Sequence, residues 1–141
     1  MLVTKCLEID MGHRVPNHKS KCKNLHGHRY KIEVGVDDKV VTTKGKSNEG
    51  MVIDFGDLKD IMVKHIDNVF DHGLVLYDCD ILSPLFEDFD LKIVFVPFIP
   101  TAENLAKEWY EILEAELQLK KIKIKYVKVW ETPTSTATYE K

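Results

Sequence analysis

Two histidines separated by one glycine, in the run Leu25-His26-Gly27-His28-Arg29-Tyr30, place the strongest constraint on how this chain can fold. Successive side chains of an extended strand point to opposite faces, so residues two apart share a face and both imidazoles can address one ion. Two ligands do not complete a metal site. His13, at the end of the first apolar run, is the candidate third, and an antiparallel neighbouring strand would bring it opposite the pair. Three neutral imidazoles suit zinc and leave a coordination position open for water or substrate. Cys22, four residues before His26, adds a thiol to the same neighbourhood. His18, in the intervening loop, is a rival for the third place, though it is expected to face solvent or substrate.

The remaining composition narrows the kind of ligand. From Met11 to Ile32 there is no acidic residue, whereas Arg14, Lys19, Lys21, Lys23, Arg29 and Lys31 all fall there, although the whole chain carries a net charge of -3. A local cationic stretch implies an anionic ligand. Without a nucleic-acid-binding motif, and on a chain acidic overall, a small phosphorylated metabolite is expected rather than nucleic acid. The 141 residues are enough for one domain with its own core, and 44% hydrophobic with 30% charged residues excludes disorder. The apolar stretches are interrupted too soon to span a membrane, and neither a signal peptide nor a lipidation motif is evident, so the reading is a cytoplasmic protein. Three cysteines without a spacing framework agree with a reducing compartment. Cys6 and Cys79 are read as inert.

Hydrophobic periodicity gives an α+β architecture. Residues 2–11 alternate as a strand, residues 12–25 form an irregular loop carrying chemistry, and residues 26–36 form the second strand. Residues 37–50 read as a long hairpin tip, after which 51–55 resume as a strand. Asp57 opens a helix whose positions Leu58, Ile61, Met62, His65, Ile66 and Val69 make one apolar stripe, closed by Asp71-His72-Gly73 with Gly73 free for a left-handed cap. Residues 74–90 read as loop and 91–96 as a short strand. Thr101 is a suitable N-cap for a second helix, with Leu105, Trp109, Ile112, Leu113 and Leu117 as its stripe. Strands over 122–131 and 136–140 complete the chain. The first of these changes parity between Tyr126 and Val127, which requires a bulge or burial on both faces. Helices on one face leave the other face and the sheet edges uncovered, and an oligomer would cover them.

Five segments carry a resemblance to a known family. They are Cys22-Lys23-Asn24-Leu25-His26-Gly27-His28, Gly50-Met51-Val52-Ile53-Asp54-Phe55-Gly56, Phe70-Asp71-His72, Pro100-Thr101-Ala102-Glu103-Asn104, and Trp130-Glu131-Thr132. In order and spacing the chain resembles the 6-pyruvoyltetrahydropterin synthase family, and its interval from cysteine to the His-Gly-His pair is similar to the 6-carboxytetrahydropterin synthase branch. The resemblance implies the tunnelling fold, assembled through sheet edges into trimers and then a hexamer, with active sites between subunits. It implies zinc on His13, His26 and His28, and a pterin triphosphate substrate. Its reaction converts 7,8-dihydroneopterin triphosphate to 6-carboxy-5,6,7,8-tetrahydropterin, acetaldehyde and triphosphate, a step of queuosine (7-deazaguanine) biosynthesis.

The same resemblance assigns roles. Cys22 is the expected proton acceptor, its lysine neighbours favouring the thiolate. Asp71 and His72 form a second acid/base centre, the carboxylate fixing the imidazole tautomer. Glu131 pairs with the pterin's amide and amino hydrogens and shares in proton transfer. Thr101 and Glu103 line the pterin pocket, supplied by a neighbouring subunit. The chain departs from the family pattern in its Lys19-Ser20-Lys21 run, in a long turn over 40–49, in lacking an asparagine soon after His72, and in Pro133. Three alternatives share most of these residues: the sister 6-pyruvoyltetrahydropterin synthase activity, a three-histidine zinc hydrolase needing no thiol, and a non-catalytic zinc- or pterin-binding protein.

Overall fold

The computed structural model describes residues 1–141. Its centre is a long hairpin of β1 (Leu2–His13) and β2 (His26–Asp37), paired antiparallel from Leu2 opposite Asp37 to His13 opposite His26. β2 pairs antiparallel with β5 (Ile124–Thr132), and β5 with β6 (Ser135–Glu140). On the other side β1 runs parallel to β3 (Leu74–Tyr77), which is parallel to β4 (Ile93–Val96). The sheet order is β4-β3-β1-β2-β5-β6.

One face of this sheet is apolar because alternate residues are. Ile9 and Met11 on β1, Tyr30, Ile32 and Val34 on β2, and Val127 and Val129 on β5 are all buried there. The intervening positions Cys6, Glu8, Asp10, Arg29, Lys31, Glu33, Lys128 and Trp130 form a polar opposite face. The expected parity change is a bulge. Gly35 pairs with Tyr126 but Val36 with Ile124, so Lys125 is the extra residue, and Ile124 turns back into the core.

Helices cover the apolar face. α1 (Phe55–Met62) continues through a π-helical turn at Val63–Asp67 into a last turn, α2 (Asn68–Phe70). A short α3 (Ser83–Phe86) follows β3, and the long α4 (Ala102–Leu119) buries Leu105, Ala106, Trp109, Tyr110, Leu113 and Leu117 at helical spacing. Full burial of a side chain of leucine or phenylalanine size contributes about 1.5–3 kcal/mol, so this stripe holds α4 on the sheet. α1 and α4 are joined by Glu116, which accepts from Lys64 Nζ at 2.9 Å and pairs with His65 on the π turn.

Five sequence expectations change. Residues 51–55 are not a strand: consecutive Val52 and Ile53 are both buried, which alternation forbids, and Asp54 already caps the helix by accepting from Gly56 N–H at 2.7 Å. The cap is therefore Asp54 rather than Asp57. The hairpin tip closes on itself through Val41 and Met51 (N–H to O, 2.8 Å) without a ladder. Residues 74–90 contain β3 and α3, because Leu74-Val75-Leu76-Tyr77 fills a slot between two parallel neighbours. Finally, the left-handed residue after the helix is His72 (φ 57), not Gly73.

Gly35 is required by its neighbour across the strand. A Cβ there would lie 2.3 Å from Tyr126 Cε1, and that ring is held by its hydroxyl donating to Glu33 Oε1 at 2.7 Å. Gly35→Ala is expected to destabilise the fold by about 1–3 kcal/mol through overpacking, read as a lower urea midpoint; an unchanged midpoint would show that the Tyr126 ring moves aside freely.

Candidate metal centre and adjoining cavity

The β1–β2 register brings the three histidines together. His13 lies opposite His26, and His28 lies opposite Met11 one step along the same face. One ligand nitrogen from each of His13, His26 and His28 lies within 4.8 Å of the other two. Two of the outward nitrogens are already committed: His13 Nδ1 lies 2.7 Å from Pro100 O, and His26 Nδ1 lies 2.8 Å from Asn24 O. A carbonyl only accepts, so each Nδ1 carries the proton and each Nε2 presents a lone pair to the centre. His28 Nε2 is buried with no hydrogen-bond partner in the protein. A buried orphan acceptor converging with two imidazoles of fixed tautomer fits a divalent ion of the zinc type.

Burial lowers the pKa of His13 most, partly offset by its bond to Pro100, and burial likewise lowers that of His28. Both are thus neutral, the form that ligates. Tyr30 continues the series 26, 28, 30 along the same face. Fully buried, its hydroxyl stands 3.2 Å from His13 Nε2, and burial followed by the charge of Glu131 pushes its phenol far up, so it stays protonated beside the centre. No role for Tyr30 was expected, although its parity with the two histidines was readable.

A cavity of about 240 Å³ opens beside His13, lined also by His18, Cys22, Thr101, Glu103 and Glu131. Cys22 sits half-buried on a short helical turn, Lys21–Lys23. Thr101 caps α4, its Oγ accepting from Asn104 N–H at 3.4 Å, so the helix start places Thr101 and Glu103 at the cavity wall. Glu131, at the end of β5, holds Oε1 3.6 Å from His13 Nε2. Contrary to expectation, Thr101 and Glu103 meet Cys22 within the same chain, because α4 begins where β1 ends: Pro100, one residue before the cap, is the carbonyl that holds His13.

Asp71 and His72 lie elsewhere. Asp71 Oδ1 accepts the Asp10 N–H (2.9 Å) and Oδ2 lies 2.6 Å from His72 Nδ1, while the His72 ring is 78% exposed. Their surroundings are Asp10, Gly27, His28 and Arg29 rather than the Cys22 cavity. The Asp10 N–H first, and His72 second, hold the Asp71 carboxyl below the usual carboxylate range. The six cations of the acid-free stretch also part company. Arg14 turns inward to Asp80, Arg29 is doubly bonded to Asp10 (3.0 and 2.8 Å), and Lys31 lies over Trp130 (4.7 Å). Lys19, Lys21 and Lys23 are exposed on the Cys22 loop.

Sheet, helices and a three-histidine centre beside a thiol define the class, and comparison with known proteins agrees. The family model described as 6-pyruvoyl tetrahydropterin synthase matches residues 2–141. The chain is 36% identical to the 6-carboxy-5,6,7,8-tetrahydropterin synthase of Haemophilus influenzae, covering 98% of this chain and 97% of that protein. It is 32% identical to the enzyme of the same name from Aquifex aeolicus, over 98% and 96% of the two chains. Among solved structures it superposes on the 6-pyruvoyl tetrahydropterin synthase of Caenorhabditis elegans with a TM-score of 0.70 and 25% identity, covering 100% of this chain and 95% of that one. An uncharacterized protein from Wolinella succinogenes gives a TM-score of 0.79 at 24% identity, over 99% and 98%. The chain belongs to the 6-pyruvoyl tetrahydropterin synthase family, has its tunnelling fold, and is a lyase-type enzyme. No helix is long and apolar enough to cross a membrane.

Two outcomes follow from the geometry. Replacing His28 with Ala should weaken zinc binding by more than about a hundredfold, since even partners behind the ligands cost 10–100-fold, measured by competition with a chromogenic chelator. Asp71 remains ionised in the folded protein at pH values where the unfolded chain protonates it. Its stabilising contribution is therefore complete above the ordinary carboxylate range, about pH 4, and is lost as pH falls through the lowered value. Asp71→Asn should remove that part of the acid sensitivity, so thermal midpoints of variant and wild type should converge below that range.

Proposed function

We propose that this protein is a zinc-dependent 6-carboxy-5,6,7,8-tetrahydropterin synthase, acting on 7,8-dihydroneopterin triphosphate in 7-deazaguanine biosynthesis. The observation that carries this reading is the shared cavity of Cys22, Glu131, Thr101 and Glu103 beside the three-histidine centre. The names of the curated relatives favour the carboxy product over the pyruvoyl one.

Bound zinc would supply Lewis acidity to the hydroxyls of the substrate's side chain, held by His13, His26 and His28. Cys22, in the wall of the same cavity, accepts a proton from the side-chain carbon. Glu131 accepts hydrogen bonds from the pterin's amide and amino groups and orients the ring against the thiol. Thr101 and Glu103 bound the ring's far edge. The exposed lysines of the Cys22 loop face the triphosphate, and the fixed tautomer of His72 suits it to transfer a second proton.

His72 cannot serve the Cys22 of its own chain from where it stands, so we place it in a site shared between subunits. Support comes from the two unpaired sheet edges, β4 and β6, and from exposed Leu85, Phe89, Leu91 and Phe95 around β4. The assembly this suggests is a homo-oligomer, a hexamer built as a dimer of trimers, in the cytoplasm.

Mass spectrometry of products from the zinc-loaded protein tests the reading. The expected result is 6-carboxytetrahydropterin with acetaldehyde, lost in Cys22→Ala and in His72→Ala. Co-assembled from the two inactive variants, mixed oligomers should regain about a quarter of the sites, because random mixing leaves that share with both residues intact. A pyruvoyl product would move the protein to the sister activity. Full activity in Cys22→Ala would favour a hydrolase instead, and no turnover a binding protein.

A further inference from the structure

Loop 14–25 runs from His13 to His26 and carries Cys22, yet its backbone–backbone hydrogen bonds close on itself. Val15 N–H donates to Cys22 O (2.8 Å), His18 N–H to Val15 O (3.0 Å) and Asn24 N–H to Lys21 O (3.0 Å). Apart from the bond between Asn24 O and the His26 ring at its far end, one ion pair ties this loop to the rest of the fold: Arg14 Nε lies 3.2 Å from Asp80 Oδ2. Arg14 directly follows the ligand His13, and Val15, the next residue, holds Cys22. The tie therefore acts at the base of the loop.

Asp80 stands on a rigid support. Its N–H donates to Tyr77 O (2.9 Å), its carbonyl accepts from Ser83 N–H (2.9 Å) and its Oδ1 accepts from Leu82 N–H (2.9 Å). The Ser83 hydroxyl donates to Tyr77 O at 2.6 Å, closing the same turn. This turn extends β3, which runs beside β1 at Gly12 and His13, so it meets the loop at one end of the sheet. The side chains of Arg14 and Asp80 are 12% and 0% exposed. Desolvation of two ions offsets much of their attraction, so such a pair adds little net stability. Here the N–H is also misaligned, and neither Arg14 Nε nor Asp80 Oδ2 has a hydrogen-bond partner in the protein. What the pair does supply is a fixed position.

We propose that Asp80 is a positioning residue: through Arg14 it fixes the base of loop 14–25 and thereby sets where the Cys22 thiol stands relative to the histidine centre. The same contact withdraws Arg14 from the cations open to an anionic ligand. The proposal rests on the functional reading above, since the place of Cys22 matters to turnover only if Cys22 transfers protons.

The test uses the zinc-loaded protein. Asp80→Asn keeps the acceptor for Leu82 N–H and removes the charge facing Arg14. Alkylation of Cys22 by iodoacetamide is measured by peptide mass spectrometry against Cys6, which is exposed on the polar face of the sheet and serves as reference. The Cys22:Cys6 ratio should change at least about fivefold while bound zinc stays stoichiometric. With 7,8-dihydroneopterin triphosphate, kcat should fall on the order of ten- to a hundredfold with KM held within about twofold. An unchanged ratio with unchanged kcat would overturn the proposal even if the melting temperature dropped, because a purely structural bridge moves stability alone. If the wild type does not turn over this substrate, the functional reading fails, and the alkylation ratio still decides the positioning role. Should Asp80→Asn not fold, Arg14→Met with Asp80→Leu replaces both ions by apolar side chains and is read by the same ratio.

Discussion

The pairing register of β1 and β2 is the constraint on which the rest depends. It sets His13 opposite His26 and Met11 opposite His28, so the three imidazoles converge; it also sets Ile9 opposite Tyr30 and Leu7 opposite Ile32, so the core begins where the metal centre ends. A slip of one residue would reverse both at once, moving ligands and core to opposite faces. Hydrophobic burial under α1 and α4 therefore stabilises the same register that the metal geometry needs.

The polar face of the sheet follows from that alternation. There Arg29 compensates the charge of Asp10 and the Tyr126 hydroxyl donates to Glu33, whereas Lys19, Lys21 and Lys23 of the cationic loop stay exposed. Chemistry is thus concentrated at one end of the sheet, where β1 and β5 finish and α4 begins. Three separate chain segments meet there: the loop between two ligands, the cap of α4, and the end of β5.

Much of this was legible beforehand. The spacing of two between His26 and His28, the stripe of α4, the Thr101 cap and the change of parity at residues 126–127 are local patterns with one physical meaning each. Illegible were β3 and α3, since four apolar residues are too few to distinguish strand from loop before their parallel neighbours are known. The left-handed residue after α2 differs for a tertiary reason: Gly73 is the natural one, but His72 takes that conformation because its N–H donates to Asp10 O at 2.7 Å and its ring binds Asp71. Arg14 shows the same limit. In sequence it is one of six cations expected to meet an anion, and only folding turns it toward a buried carboxylate sixty-six positions away.

What the sequence determined by itself was the alternation on β2 that puts His26 and His28 on one face, the helical stripes that cover that face, and the segments by which the family is recognised. These depend on periods of 2 and 3.6 residues and need no partner. Tertiary structure alone decided that Thr101, Glu103, Glu131 and Cys22 share one cavity within one chain, that Asp71 and His72 stand outside it, and that Tyr30 and Pro100 hold His13. Those relations join residues distant along the chain, and their distances exist only once the sheet order and the path of α4 are set.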